Sequence, residues 1–516
     1  MADLSIIIPA RNEIFLAKTV ENLLENIEGD TEIIIILDGQ WADPGVDDDK
    51  RVSIIYLPEP IGQRAATNLG VKMSRAKYVM KLDAHCAVSK GFDRSMVEAF
   101  NEVGGDVTMV PKMYNLYAFD WVCPDGHRRY QSPSDPCKEC GKPTHRELKW
   151  EPRPSPETTA MCFDRDLKFQ YQSGYKKHQE GDLVETMSLL GACWMLTRER
   201  YWKLNICDEG HGSWGQQGTE VACKTWLTGG RLICNKRCWF AHMFRTQGRD
   251  FGFPYPNAGI NASREYSRRL WLNHKWPQAE KPIWWLIKKF KPTQWEAPSR
   301  GIIYYTDNRL NVKLAKQVQG NLKVISENFN IPITSVSLKP MPHFGNNIHL
   351  PLERGVITMF KQILTALENS KEEIVYFCEH DVLYHPSHFD IIPPHKDMFY
   401  YNHNWWKVWP DGFAAHWDAN QVAMLVCYRE HAINFYRKRI EQISREGFNR
   451  SYEPGGRDRK LYEPVWSEVP NVDVRHDNNQ TRSHRSPNDF RDKSGCVNWQ
   501  ESTIDKIPGW PNLNPY

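Results

Sequence analysis

Ser5-Ile6-Ile7-Ile8-Pro9-Ala10-Arg11-Asn12-Glu13 opens the chain with an apolar run that breaks into polar residues. So short and apolar a run predicts a strand from Ser5 to Pro9, buried on both faces. Working outward, Leu16 to Ile27 has helical spacing (Leu16, Val20, Leu23, Leu24, Ile27), and Glu32 to Leu37 and Ser53 to Leu57 are further strands. Gly62 to Arg75 reads as a helix and Tyr78 to Leu82 as a fourth strand. Near-continuous Ile/Val strands alternating with helices predict a parallel sheet covered on both faces. The fold class is α/β, doubly wound, with its ligand crevice beyond the carboxyl ends of the strands.

A second alternation starts at Gly301. Ile302 to Tyr305, Ile333 to Leu338 and Glu373 to Cys378 read as strands, Leu314 to Phe329 and Arg354 to Leu367 as helices. The expected organisation is a first domain at 1–255 with an insertion at 121–147, a linker with one helix at 256–298, and a second domain at 299–516. Length agrees, since 516 residues at about 150 per domain give two to four. Hydrophobic residues are 41% and charged residues 25%, which excludes a disordered chain. Sixty-six Lys+Arg against 63 Asp+Glu give +3, which demands no polyanionic partner. No run approaches 18 apolar residues, so no membrane span is expected. Met1 to Asp3 carries no basic region with an apolar stretch behind it, so no secretory signal is read. Thirteen Cys, an odd number, then argue for a reducing compartment and a cytoplasmic location.

Cys123, His127, Cys137 and Cys140 stand apart, spaced C-x3-H-x9-C-x2-C in a polar, turn-rich segment. Such a segment builds no core of its own, and a structural Zn2+ on these four residues would supply its folding energy. His145 is an alternative fourth ligand, and a loop with free thiols the alternative to a metal.

Asp83-Ala84-His85 ends the fourth strand. Residues i and i+2 of an extended chain point to one side, so Asp83 and His85 can ligate one cation, and an O/N donor set suits Mn2+ or Mg2+. In a strand-end crevice such an ion holds a diphosphate and stabilises the charge of its departure. Asp38, ending the second strand, can accept from a base or ribose, and Arg64, opening a helix, can contact phosphate. Glu220 is the nearest acid available to deprotonate an acceptor hydroxyl, if the chemistry needs one.

Ser5 to Glu13, Ile34 to Asp38, Gly62 to Gly70 and Lys81-Leu82-Asp83-Ala84-His85-Cys86 together resemble the family 2 glycosyltransferases of GT-A fold. The Asp-x-His-Cys form is similar to the polypeptide N-acetylgalactosaminyltransferases. So are Gly191 to Leu196, Trp214-Gly215 with Glu220, Trp226 to Gly230, and His242-Met243-Phe244-Arg245. The resemblance spans about residues 3–250. It implies a UDP-sugar donor (HexNAc or hexose), transfer to a hydroxyl, and His242 as the third protein ligand of the metal. It also implies nucleotide contacts at Pro9, Arg11, Glu13 and Trp214. Gln217 stands where that subfamily has a carboxylate, which leaves the sugar open, and the anomeric outcome stays open with it.

In the second half, Glu379-His380-Asp381 follows a strand, with Glu379 and Asp381 at i and i+2 and Val472-Asp473-Val474-Arg475-His476 far downstream. This looks like a second GT-A domain with Glu379, Asp381 and His476 on a metal, Asp381 as its catalytic acid, and Thr306 at the nucleotide. The expectation is a bifunctional enzyme with two tandem GT-A domains, the first carrying a zinc-ribbon-like insertion. Its alternatives are one active domain with a non-catalytic binding domain, and a protein acting on hydroxylated bases in DNA. The acceptor stays open among a glycan, a protein hydroxyl and modified DNA. The indoles of Trp405, Trp406 and Trp409 suit an acceptor site or a buried cluster, and Arg475, Arg482, Arg485, Arg491 and Lys493 suit nucleic-acid phosphates or a solvated tail.

Overall fold

The structure is a computed structural model. It describes the chain except residues 1, 132–133, 155, 246–250, 256, 297, 449–460, 480–492 and 494. Arg482, Arg485 and Arg491 therefore lie outside the described residues. Two compact units emerge. The first comprises Met1–Trp271 with Trp276–Lys281 and Pro292–Gln294; the second comprises Leu272–Lys275, Pro282–Lys291 and Trp295–Tyr516.

Unit 1 begins with β1 (Leu4–Ala10), α1 (Leu16–Asn26), β2 (Thr31–Asp38), β3 (Val52–Leu57), α2 (Gln63–Met73) and β4 (Tyr78–Leu82). It continues through β5 (Cys86–Val88), α3 (Phe92–Val103), β6 (Val107–Val122), β7 (Arg128–Tyr130), β8 (His145–Pro152), β9 (Met161–Phe163) and β10 (Phe169–Tyr171). Then come β11 (Leu183–Glu185), β12 (Cys193–Thr197), α4 (Arg198–Lys203), α5 (Gln217–Leu227), β13 (Arg231–His242) and α6 (Asn257–Trp271). The main sheet runs β11-β13-β6-β12-β4-β1-β2-β3. Strands β1 to β4 pair in parallel, as their unbroken Ile/Val runs predict, but β12 joins β4 antiparallel, so the sheet is mixed. Its short Cys193–Thr197 run carries no mark of direction.

Two features of this sheet position the site. Strand β5 pairs antiparallel with the end of β13, Cys86 opposite His242, which sets His242 beside His85. The 16-residue β6 leaves the sheet and carries β7 and β8, the platform of the insertion. That platform packs its Phe119, Trp121 and Trp150 with Phe15, Ala87, Ala241 and Phe251 in one cluster.

Among its described residues, the segment expected to be a linker with one helix holds two α-helices. One is α6; the other is α7 (Ile283–Phe290), started by Pro282 at its N-cap and belonging to the second unit. That unit continues with β14 (Arg300–Thr306), α8 (Val312–Phe329), β15 (Ile333–Ser337), β16 (Asn346–His349), α9 (Val356–Asn369) and β17 (Ile374–Glu379). Parallel pairs β16-β15, β15-β14 and β14-β17 start a seven-stranded sheet, and a separate five-stranded sheet includes Trp405–Val408 and Asn471–Val474. Trp405 and Trp409 are buried, so these indoles belong to the core.

Helix α2 lies close on β1 because Gly70 has no side chain. A Cβ there would meet Cγ2 of Ile7 at 2.4 Å. Gly70→Ala is expected to destabilise unit 1 by about 1–3 kcal/mol through overpacking, read as an earlier denaturant midpoint for that unit with the second unit unchanged.

Candidate active site

Asp83 follows β4 directly, and Ala84 and His85 bend the chain before β5 starts at Cys86. The backbone N–H of Asp83 donates to the carbonyl of Ala192, and that of Met243 to the carbonyl of His85, so the three loops are stitched together. Nε2 of His85 and Nε2 of His242 lie 3.1 Å apart. Oδ2 of Asp83 stands 3.3 Å from Nε2 of His242 and 3.9 Å from Nε2 of His85.

The partners on the far side of each ring decide what this trio can bind. Nδ1 of His85 donates to Oε2 of Glu13 (3.1 Å), so the lone pair of that ring is on Nε2. Nδ1 of His242 is buried and has no hydrogen-bond partner among the described residues, while Nε2 of that ring faces Oδ2 of Asp83 and Nε2 of His85. Burial pushes the His242 imidazole down to about 4, which keeps it neutral near pH 7. Two ring nitrogens and a carboxylate oxygen then face one small volume. Burial raises the Asp83 carboxyl, but the Lys81 ammonium and the two imidazoles outweigh it and hold it well below the usual carboxylate range. An octahedral ion bound at roughly 2.1–2.2 Å sets neighbouring ligands roughly 3.0–3.1 Å apart. Two of the observed spacings, 3.1 and 3.3 Å, are close to that and the third is longer at 3.9 Å; the donor set fits a divalent cation.

The trio opens on a cavity of about 340 Å³ also lined by Pro9, Arg11, Glu13, Trp214 and Gln217. Phe253 packs against Trp214 (4.9 Å between centroids), Tyr255 stacks on it (6.3 Å), and the Arg11 guanidinium sits 5.2 Å over the Tyr255 ring. Sequence reasoning missed Phe253 and Tyr255. Three aromatic residues within Phe251 to Tyr255 were the available signal, and the prolines beside them read as a linker. Phe251 meets His85 edge-on at 5.0 Å and links the site to the aromatic cluster of the insertion.

Residues 5–148 match the family described as glycosyl transferase family 2. That stretch holds β1, β4, Glu13, Asp83 and His85, with the spacing reported above. Unit 1 carries a family 2 glycosyltransferase domain. The chain is similar to putative polypeptide N-acetylgalactosaminyltransferase 13 of Drosophila melanogaster, 24% identical over 273 residues, 49% of this chain and 43% of that protein. It is also similar to putative polypeptide N-acetylgalactosaminyltransferase 9 of the same species, 23% identical over 226 residues, 43% of this chain and 30% of that protein. The chain thus spans less than half the length of these two curated relatives. Among solved structures it is similar to GalNAc-T7 with UDP, GalNAc and Mn2+, with a TM-score of 0.39, 17% identity, and coverage of 53% of this chain and 48% of that one.

Within the family 2 domain, two expected nucleotide contacts turn inward. Asp38 is buried, and its oxygens accept from the backbone N–H groups of Ile61 (2.6 Å) and Gly62 (3.0 Å). It anchors the turn into α2, where Gly62 has φ 94° and a Cβ would meet Ser213 at 2.7 Å. Arg64 is fully buried and donates to Glu220 (2.9 Å) and to the carbonyls of Gly212 (3.2 Å) and Gly215 (2.5 Å). Its guanidinium is spent on the fold and faces no phosphate.

Glu220, beyond the family 2 domain, is likewise no surface acid. Lys224 (2.7 Å) and Arg64 hold its carboxylate, and Nδ1 of His211 lies 3.5 Å away. Burial raises it, yet these cations bring it down to about 2. A carboxylate so paired is a poor proton acceptor and braces α5 against α2.

In the insertion carried by the family 2 domain, Cys123, His127, Cys137 and Cys140 converge, and His145, at the start of β8, does not join them. Nδ1 of His127 is 3.4 Å from Sγ of Cys123 and 3.6 Å from Sγ of Cys137, and the Sγ atoms of Cys140 and Cys123 are 3.7 Å apart. A tetrahedral zinc with bonds of about 2.3 Å to sulfur and 2.0–2.1 Å to nitrogen has edges of roughly 3.8 and 3.5 Å. Backbone N–H groups of Cys140 and Glu139 lower the Cys137 thiol to about 6. The four residues fit zinc.

In unit 2 the converging group is His380, Asp381 and His476. Sequence reasoning put Glu379 in place of His380. The period-two rule fails there because β17 ends at Glu379 and the chain turns at His380-Asp381. Glu379 instead accepts from the Tyr305 hydroxyl (2.6 Å), and burial together with the nearby Asp381 raises it to about 8. Thr306 ends β14 with its hydroxyl 2.7 Å from Nδ1 of His380. Oδ2 of Asp381 accepts from Asn479 (2.6 Å) and lies 3.4 Å from Nε2 of His476. The backbone N–H of Asn478 donates to Nδ1 of His476 (3.2 Å), which favours the tautomer with its proton on Nε2. This cluster is therefore less prepared for a cation than the first, although it borders a cavity of about 500 Å³.

Glu220→Gln is expected to cost unit 1 about 3–5 kcal/mol by leaving buried cations unpaired. Acid acts in the same direction. Burial lowers His211 from 6.5 to about 4, and Glu220 falls from 4.5 to about 2, so both contributions are present above these ordinary values. They fade as pH falls through 6.5 to 4 and then 4.5 to 2. Thermal melting of unit 1 across pH 2–8 checks both statements.

Proposed function

We propose that the chain is a divalent-cation-dependent glycosyltransferase moving a hexose or N-acetylhexosamine from a UDP-sugar to an acceptor hydroxyl. The observation that carries this reading is the convergence of Asp83, His85 and His242 on one small volume within a family 2 framework. The polypeptide N-acetylgalactosaminyltransferase relatives support a UDP-linked donor and a protein hydroxyl as acceptor.

Asp83, His85 and His242 would hold Mn2+ or Mg2+, which when bound supplies Lewis-acid stabilisation to the departing diphosphate. The chain's own groups do the rest. Glu13 fixes the His85 ring through Nδ1, and Arg245 holds the other oxygen of Glu13. Arg11 brings a positive charge to the wall where the leaving group gathers negative charge. Trp214, Phe253 and Tyr255 offer flat faces on which a base or sugar ring stacks. Cys123, His127, Cys137 and Cys140 would hold a structural zinc that braces the insertion, which reaches the ion site through Phe251.

For unit 2, the His380–Asp381–His476 cluster beside its own cavity supports a second, sequential transfer. The His476 tautomer favours the other reading, a non-catalytic binding unit. Product mass separates them. With Asp381→Asn, loss of one of two added sugars supports two active sites, and an unchanged product supports a binding unit.

Two measurements test the main reading. Asp83→Asn and His242→Ala are each expected to lower Mn2+-dependent UDP-sugar turnover by about 100-fold or more, followed by mass spectrometry over a panel of donors with glycan, protein and hydroxylated-DNA acceptors. Wild-type turnover in both variants refutes it. Metal analysis of the purified chain is expected to find about one tightly held zinc per chain, lost in Cys137→Ser.

A further inference from the structure

Lys81 sits in β4, two residues before Asp83, with its side chain fully buried. Its ammonium contacts Oδ1 of Asp83 and donates to the carbonyl of Gly191 at 2.8 Å. Lys81 does not line the cavity, although Asp83 and Gly191 both do. It therefore reaches a substrate only through Asp83. Oδ1 of Asp83 is taken by Lys81, and Oδ2 is the oxygen that faces the imidazoles.

The charge around the ion site follows. Asp83 is paired with Lys81, and Glu13, the carboxylate behind His85, is paired with Arg245. Each carboxylate is thus matched by a buried cation, and Arg11 adds a further positive charge to the wall. A divalent cation entering such a site finds three well-placed donor atoms but no net negative charge. In a desolvated site an uncompensated double charge is strongly disfavoured. A diphosphate brings the missing negative charge.

We propose that Lys81 is a positioning residue that keeps the Asp83–His85–His242 site electrically neutral, so that it takes a divalent cation tightly only together with a diphosphate. The inference rests on the ion-site reading given above. By linkage, the cation and the diphosphate raise each other's affinity by the same factor. Lys81 sets that factor because it removes the charge that would otherwise hold the ion alone.

The test is Mn2+ binding to the full chain, followed by electron paramagnetic resonance of the free ion, with Mn2+ alone, with pyrophosphate and with UDP. In the wild type, pyrophosphate or UDP is expected to tighten Mn2+ by about tenfold or more. Lys81→Met is expected to bind Mn2+ alone about tenfold more tightly than the wild type and to lose most of the gain from pyrophosphate. Lys81→Arg, which keeps the charge, is expected to behave as the wild type. Lys81→Gln, which keeps a donor toward Gly191 and Asp83, replaces Lys81→Met if that variant does not fold by circular dichroism. A folded, uncharged variant that binds Mn2+ alone no more tightly than the wild type overturns the proposal. Equal Mn2+ affinity of the wild type with and without pyrophosphate overturns it without any variant. Tightening by pyrophosphate but not by UDP supports the role of Lys81 and counts against the nucleotide reading.

Discussion

Two imidazole nitrogens 3.1 Å apart, with a carboxylate oxygen 3.3 Å from one of them, crowd three polar donor atoms into one small volume, an arrangement that a positive charge between them would stabilise. The surrounding fold holds them there. Glu13 fixes one ring by its far nitrogen, Arg245 holds Glu13, Lys81 holds Asp83, and the pairing of β5 with β13 sets the backbones in register. Electrostatic strain of this kind persists only where the structure around it over-determines the geometry.

Two other layers follow from the same constraint. Behind the site, β6 carries the insertion out of the sheet and brings its aromatic residues back against Phe15 and Phe251, and Phe251 in turn meets the His85 ring. Beneath the cavity, Glu220 binds together Arg64, Lys224 and His211, three groups from different elements. Removing Glu220 leaves two buried cations without their counter-charge, which costs more than losing an ordinary surface pair.

Much of this was legible in the residues. The Ile-rich strands, the Asp83-Ala84-His85 terminus and the C-x3-H-x9-C-x2-C spacing each have a local pattern whose physics is nearly independent of context. What was not legible is where a charged side chain turns. Asp38 and Arg64 were expected at the nucleotide and Glu220 as the catalytic carboxylate, yet most of their partners come from turns and helices far away in sequence, and only the packed structure shows that those partners saturate them. Glu379 failed for a different reason. The alternation rule holds for an extended chain, and the chain stops being extended one residue after Glu379. Phe253 and Tyr255 were hidden by the prolines around them, which read as a linker although their rings close the cavity over Trp214.

The central claim is that the facing imidazoles of His85 and His242 are ligands and not a hydrogen-bonded pair. Pulsed electron paramagnetic resonance of Mn2+ bound to the full chain with UDP reads this directly through nitrogen couplings to the ion. The account predicts couplings from two imidazole nitrogens, with one lost in His242→Ala and the other in His85→Ala. A bound ion that shows no imidazole nitrogen coupling contradicts it.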